Sequence, residues 1–318
     1  MNIMRQQTLL FVLALVLTTV ACNREAPAAG DKPIVALVLK TLNHPFFVDM
    51  RRGAQEAADR LGVNLQVQAA EREVDVEKQM QIVENLLQTG IRVLLITPSG
   101  SREIVSALVK AKDAGVPIII VDTRLDAKAA ADAGVHAQTF IGSDNYEGGR
   151  LAGLHAVAIT GGKATIGILE GIPGHETGDS RLRGFREATA AAPGMVIVAS
   201  QTANWERDQG FNVFQNMLQA HPAIDLVFAA SDLMALGAVE AIAAAGKTGK
   251  VRVIGFDALD DAKQAIAAGT MAASVAQFPY EMGKAAVEGA VKVLAGEQLP
   301  PDIMVKLEMV TKKPLWQD

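Results

Sequence analysis

The chain has 318 residues and a single cysteine, so no internal disulfide framework and no multi-cysteine zinc or iron–sulfur site can form. It also lacks basic excess. Thirty Lys plus Arg stand against thirty-five Asp plus Glu, a net charge of -5, which removes the electrostatic footprint a nucleic-acid binder needs. No apolar run reaches the roughly 20 residues that span a bilayer as a helix. Aromatic residues are scarce at 4%, namely ten Phe, two Trp and two Tyr, so the positions of those rings carry information. What is abundant is apolar aliphatic content. Half of the residues belong to the apolar set, enough for a sizeable core and incompatible with intrinsic disorder.

The N-terminus has its own composition. Residues 1–7 carry Arg5 and no acid, 8–21 form an uncharged, mainly apolar run, and Cys22 follows Ala21. This pattern predicts an export signal over 1–21, with Cys22 as a lipid-acceptor cysteine and 22–32 as a polar tether. Ordinary signal-peptidase cleavage after 26–28 is the alternative, and it would leave a soluble periplasmic chain without cysteine. Either route places the mature chain outside the cytoplasmic membrane, touching a membrane only through the lipid.

From residue 33 onward, short β-branched runs alternate with stretches of helical period, the pattern of βα units and parallel sheets. Strands are predicted at 34–40, 64–69, 93–97, 117–122, 139–143, 164–170, 196–201, 226–230, 251–257 and 272–277. Phe47, Met50, Ala54, Ala57, Ala58 and Leu61 share one helix face, and Gly62 closes that helix. Ten strands and some 290 mature residues exceed one comfortable sheet and core. Two doubly wound α/β domains are therefore expected, joined near Ser143 by direct strand crossover and not by a tether. Ligands of open parallel sheets bind beyond the carboxyl ends of the strands. Asn43, His44, Phe46, Phe47, Thr97, Asp122, Trp205, Ser231, Asp257 and Gln277 all fall at or just after such ends. Helix N-capping accounts for Ser101 and for part of the remainder, but not for paired phenylalanines at a helix start or for an isolated tryptophan.

Six segments occur in an order that carries a resemblance: TLNHPFF (41–47), GSDNYEGGRLAG (142–153), SRLRGF (180–185), SDLMALGA (231–238), VIGFD (253–257) and VAQFPYEMGKAAVE (275–288). Together they resemble the ribose-binding branch of the periplasmic sugar-binding proteins, over residues 33–314. The resemblance implies the type 1 periplasmic-binding-protein fold, two Rossmann-like domains with three crossovers: 33–143 plus 278–304, and 144–277 plus 305–318. It implies a monomer without cofactor that captures a monosaccharide or polyol in the cleft by hinge closure and delivers it to an ABC permease. Some members also signal to a chemoreceptor. By the same resemblance Phe46, Phe47 and Trp205 would sandwich the sugar, while Asp122, Arg181, Asp257 and Gln277 bind its hydroxyl rim. Asn43 lies in the same motif. His44, Thr97, Thr123 and Ser231 depart from the ribose pattern, which predicts a hexose, a linear polyol or a cyclitol in place of ribose. The segment 171–181 brings His175 and Glu176 near the cleft.

Other motifs fail on spacing. Gly246-Lys247-Thr248 follows a helix, and Ala241 stands where a phosphate loop needs glycine. The five histidines have no metal-binding spacing, and Asp260 and Asp261 read as the acidic first turn of a helix. Two rivals share the fold class. A lactose-repressor-type sensor would need a DNA-binding segment where the export signal stands, and an α/β enzyme acting on a sugar in the same cleft would show turnover.

Overall fold

The computed structural model describes residues 32–312; the predicted export signal, Cys22 and the last six residues lie outside them. The chain alternates β1 (Ile34–Thr41), α1 (Pro45–Leu61), β2 (Asn64–Ala70), α2 (Val76–Leu87), β3 (Val93–Ile96), α3 (Val105–Asp113), β4 (Ile118–Val121), α4 (Ala127–Asp132) and β5 (Thr139–Gly142). A second series follows: α5 (Asn145–Thr160), β6 (Lys163–Glu170), α6 (Glu176–Ala190), β7 (Gly194–Thr202), α7 (Arg207–Ala220), β8 (Leu226–Ala229), α8 (Asp232–Ala244), β9 (Arg252–Asp257), α9 (Asp260–Ala268) and β10 (Ala273–Ala276). The chain closes with α10 (Pro279–Leu294), β11 (Asp302–Met304) and β12 (Glu308–Thr311).

Two six-stranded sheets result, ordered β11-β5-β4-β3-β1-β2 and β12-β10-β9-β8-β6-β7. All pairings are parallel except β10 with β12. Strands β3, β4, β5, β8 and β10 are buried along their whole length, as parallel strands covered by helices on both faces must be. This confirms two α/β domains. In each sheet the order reverses once, between β1 and β3 in the first and between β6 and β8 in the second, and a ligand crevice opens at that point.

The chain passes between the sheets after Gly142, after Ala276 and between Met304 and Glu308. The three passages lie side by side: Ser143 Oγ is 3.5 Å from the Gln277 carbonyl, and the Val305 amide donates to the Gly142 carbonyl at 2.9 Å. Helix α10 leaves the second sheet and packs against α1 and strands of the first. No low-complexity tether intervenes.

Helix α1 follows from its sequence. Pro45 takes the first turn, where its missing N–H costs nothing, and the His44 side chain caps it by accepting from the Phe46 amide at 3.1 Å. Gly62 ends it in the left-handed region at φ 71°, as its sequence position predicts. Asp260 and Asp261 do occupy the first turn of α9.

Three expectations need correction. Thr97, Asp122, Ser143, Ala230 and Gln277 lie one residue beyond their strands, in the connecting segments. β11 and β12 were not foreseen, because three- and four-residue edge strands in a mixed polar stretch have no periodicity to read. Ser101 is no N-cap: α3 begins at Val105, and the Ser101 hydroxyl instead accepts from the Glu176 amide of the other domain at 3.3 Å.

Candidate functional site

Between the strand ends of the two sheets lies a partly open cavity of about 30 Å³. Lys40, His44, Phe46, Phe47, Glu73 and Asp122 line it from the first domain. Thr177, Arg181, Trp205, Ser231, Asp257 and Gln277 line it from the second. A chamber of about 280 Å³ adjoins it and shares His44, Glu73 and Trp205 as walls.

The aromatic walls come first. Phe46 and Phe47 leave the start of α1 edge to face, their centroids 5.2 Å apart at 84°. Across the cavity Trp205, 5% exposed, stands in the loop before α7. Its ring lies against the backbone of Gly171, where a Cβ would overlap Cζ2 and Cη2. Only glycine leaves room there.

Strain concentrates at the same place. Asp122, Trp205 and Asp257 hold positive φ of 66°, 68° and 110°, conformations that cost a non-glycine residue on the order of 1–3 kcal/mol. Each of the three turns a side chain into the cavity wall at a point where the chain leaves or approaches a strand.

Charge is dense and buried. Lys40, the penultimate residue of β1, places its Nζ 3.6 Å from Glu73 Oε2 and 3.6 Å from Asp122 Oδ2. Arg181 is held by Nε to Asn145 Oδ1 at 2.8 Å and by Nη1 to the Ala230 carbonyl at 2.7 Å, and its guanidinium stacks 3.9 Å from the Phe256 centroid. The same Nη1 lies 3.7 Å from Asp257 Oδ1, which also accepts from Gln277 Nε2 at 2.7 Å. Burial pushes the Asp257 carboxyl up to about 6 against the opposing pull of Arg181. Behind it, Asp232 accepts from the Leu259 amide and the Ser274 hydroxyl, and burial together with the Asp257 charge raises it further. Glu73 is pushed up to about 7, burial outweighing the pull of Lys40.

Burial, then Lys40 and Arg181, bring His44 down to about 3. The ring is neutral, and because Nδ1 accepts from Phe46 the proton sits on Nε2. His175, 4% exposed at the N-cap of α6, is likewise brought to about 3 by burial and by Lys40. Its Nδ1 has no hydrogen-bond partner among the described residues, while the amide of the next residue, Glu176, donates to Ser101 Oγ of the first domain at 3.3 Å.

Nine of the twelve ligand residues read from the sequence converge on this cavity. Three do not. Asn43 lies on the adjoining chamber and donates Nδ2 to the Glu71 carbonyl. Thr97 is buried away from the cavity with its hydroxyl directed at the Val38 carbonyl, and Thr123 caps the Asp122 carboxylate at 2.9 Å. Conversely, Lys40, Glu73 and Thr177 were missed. Lys40 had a signal, a lone charge closing an otherwise apolar strand; Glu73 sits in a loop of mixed charge and had none. Two buried polar atoms of lining residues have no partner, Gln277 Oε1 and Trp205 Nε1. Among the described residues no cluster of His, Cys, Asp or Glu is placed to hold a metal ion.

The side chains lining this cavity and its adjoining chamber suit a small, neutral, many-hydroxylated ring: aromatic faces for its C–H surfaces, and carboxylate, guanidinium, ammonium and amide groups for its rim. Comparisons with known proteins agree. The family model for the periplasmic binding protein domain matches residues 35–298. The ribose import binding protein of Escherichia coli K12 is 39% identical over 313 residues, covering 98% of this chain and all of that protein. The D-allose-binding periplasmic protein of the same organism is 33% identical over 277 residues, 86% of this chain and 89% of its own. Among solved structures, an ABC transporter periplasmic solute-binding protein from Actinobacillus succinogenes 130z with bound D-allose superposes with a TM-score of 0.83. It is 40% identical and covers 88% of this chain and 98% of its own.

Proposed function

This chain belongs to the periplasmic binding protein domain family, and from that premise we propose that it is the extracytoplasmic receptor of a sugar ABC importer. It takes one uncharged monosaccharide or polyol of the ribose and allose class between its domains and delivers it to a membrane permease. The observation that carries this reading is the cavity itself, whose wall is divided evenly between two domains joined by three adjacent strand passages. A ligand touching both walls binds the closed arrangement better than the open one and shifts the population toward closure. We take the lobes as 33–143 with 278–304, and 144–277 with the C-terminal segment. Residues 1–21 are proposed as the export signal and Cys22 as a lipid acceptor, with a chemoreceptor as a second partner for the closed form.

Neither rival is favoured. The relatives matched over nearly the whole chain are transport binding proteins, neither enzymes nor DNA-binding sensors.

A thermal-shift panel of pentoses, hexoses, polyols, cyclitols, nucleosides and amino acids on the mature chain tests the proposal. A true ligand at 100 times its dissociation constant should add about 2.7 kcal/mol of stability. Stabilisation by a nucleoside or an amino acid, with none by any carbohydrate or polyol, would overturn it.

A further inference from the structure

The cavity does not balance its charge. Lys40 and Arg181 supply two cations, while Glu73, Asp122 and Asp257 supply three carboxylates. Arg181 lies within ion-pair distance of Asp257, but Lys40 is placed equally between Glu73 and Asp122, 3.6 Å from each. One carboxylate therefore lacks a full counter-charge. Asp122 has a second stabilising partner in the Thr123 hydroxyl, whereas Glu73 has only Lys40. Glu73 also faces Glu206 and Asp257 across the cleft, both of which oppose its ionisation, with Asp122 acting the same way from its own domain. It is the only ionisable group that lines both the inner cavity and the adjoining chamber apart from His44, which is neutral. An isolated carboxylate is strongly disfavoured in a buried site, and a carboxyl that can take up a proton avoids that penalty by doing so.

We propose that Glu73 is a specificity-determining residue that enters the closed cleft protonated and donates a hydrogen bond to a hydroxyl of an uncharged ligand, so that capturing a neutral sugar draws one proton from solvent. This rests on reading the cleft as a sugar site. In the open arrangement Glu73 faces water and is an ordinary carboxylate; closure removes that water and adds the charges of Asp257 and Glu206. The burial-driven rise of Glu73 to about 7 has the same direction. A ligand bearing an ammonium group at this position would supply the missing cation and bind with Glu73 ionised.

Calorimetric titration at pH 6, in two buffers of different ionisation enthalpy, counts the protons exchanged on binding whichever sugar the thermal panel identifies. Wild type and Glu73→Gln share His44, His175 and Asp257, so those contributions cancel in the difference. The variant is expected to take up about one proton fewer than wild type and still to bind the sugar, because the amide keeps a donor. Glu73→Met, which removes the titrating group at similar length, serves if the amide variant does not fold, and its uptake should likewise be about one proton lower than that of wild type. Equal proton counts in wild type and variant would overturn the inference while leaving the sugar site intact. A wild type that binds no sugar would instead overturn the proposed function.

Discussion

The indole of Trp205 rests on the α-carbon of Gly171, in contact so close that any side chain at position 171 would occupy the space of the ring. The two residues sit at the ends of neighbouring strand connections in the second domain, after β6 and after β7. Their packing holds the ring upright in the cavity wall at a backbone φ of 68°, which tryptophan rarely adopts. A methyl group at residue 171 must displace the ring.

Gly171→Ala is therefore expected to weaken sugar binding at least tenfold, or about 1.4 kcal/mol, although the mutated residue contributes no side chain to the site. Calorimetric titration measures the loss. The far-ultraviolet circular dichroism of the variant should remain that of the wild type.

Trp205→Ala should lower affinity by about 100-fold or more, with the melting temperature of the ligand-free protein changing much less than for a buried core aromatic such as Phe185. Comparing the melts of Trp205→Ala and Phe185→Ala separates the roles. A ring that serves only as core would give the two variants similar losses of stability.

Arg181 makes a sharper case. Its guanidinium spans Asn145, the Ala230 carbonyl and Asp257 at once and stacks on Phe256, and lysine cannot reproduce that planar fork. Arg181→Lys keeps the charge, yet sugar affinity should fall by two orders of magnitude or more. Removing the cation altogether in Arg181→Met leaves Asp257 buried and unpaired, and should in addition destabilise the fold by roughly 3–5 kcal/mol, readable by urea unfolding.

Acid should open the cleft through His175. Its ring is neutral while it is buried at the junction with the first domain, held down to about 3 by burial and by Lys40, and an exposed histidine titrates near 6.5. The closed form thus keeps its full advantage above pH 6.5 and loses it as pH falls, because only the open form accepts the proton. His175→Asn lacks this penalty. The ratio of variant to wild-type affinity should rise about tenfold for each pH unit below 6.5, as measured by titrations at pH 7, 6 and 5. The other cavity groups are common to both proteins and drop out of the ratio.

Much of this arrangement is legible in the sequence. The apolar runs of β3, β4 and β8 could be nothing but buried parallel strands, and Phe46-Phe47 after an Asn-His-Pro turn marked the start of α1 as exceptional. What stayed hidden has physical causes. The left-handed backbone of Asp122, Trp205 and Asp257 is enforced by tertiary packing, and no residue type announces it. Thr97 and Thr123 occupy positions expected to bind ligand, but a short hydroxyl side chain is satisfied by the nearest local acceptor, here Val38 O and Asp122 Oδ2. Lys40 lies near the end of β1 and Glu73 in the connection after β2, and only the parallel pairing of β1 with β2 brings them together.

The most direct test of the account is a calorimetric titration of the mature wild-type chain with D-ribose and D-allose, followed by chromatography of the released ligand. The account predicts saturable binding of at least one of the two at one molecule per chain, with the sugar recovered unchanged. Heat that never saturates with either sugar, or a sugar that comes back chemically altered, would contradict it.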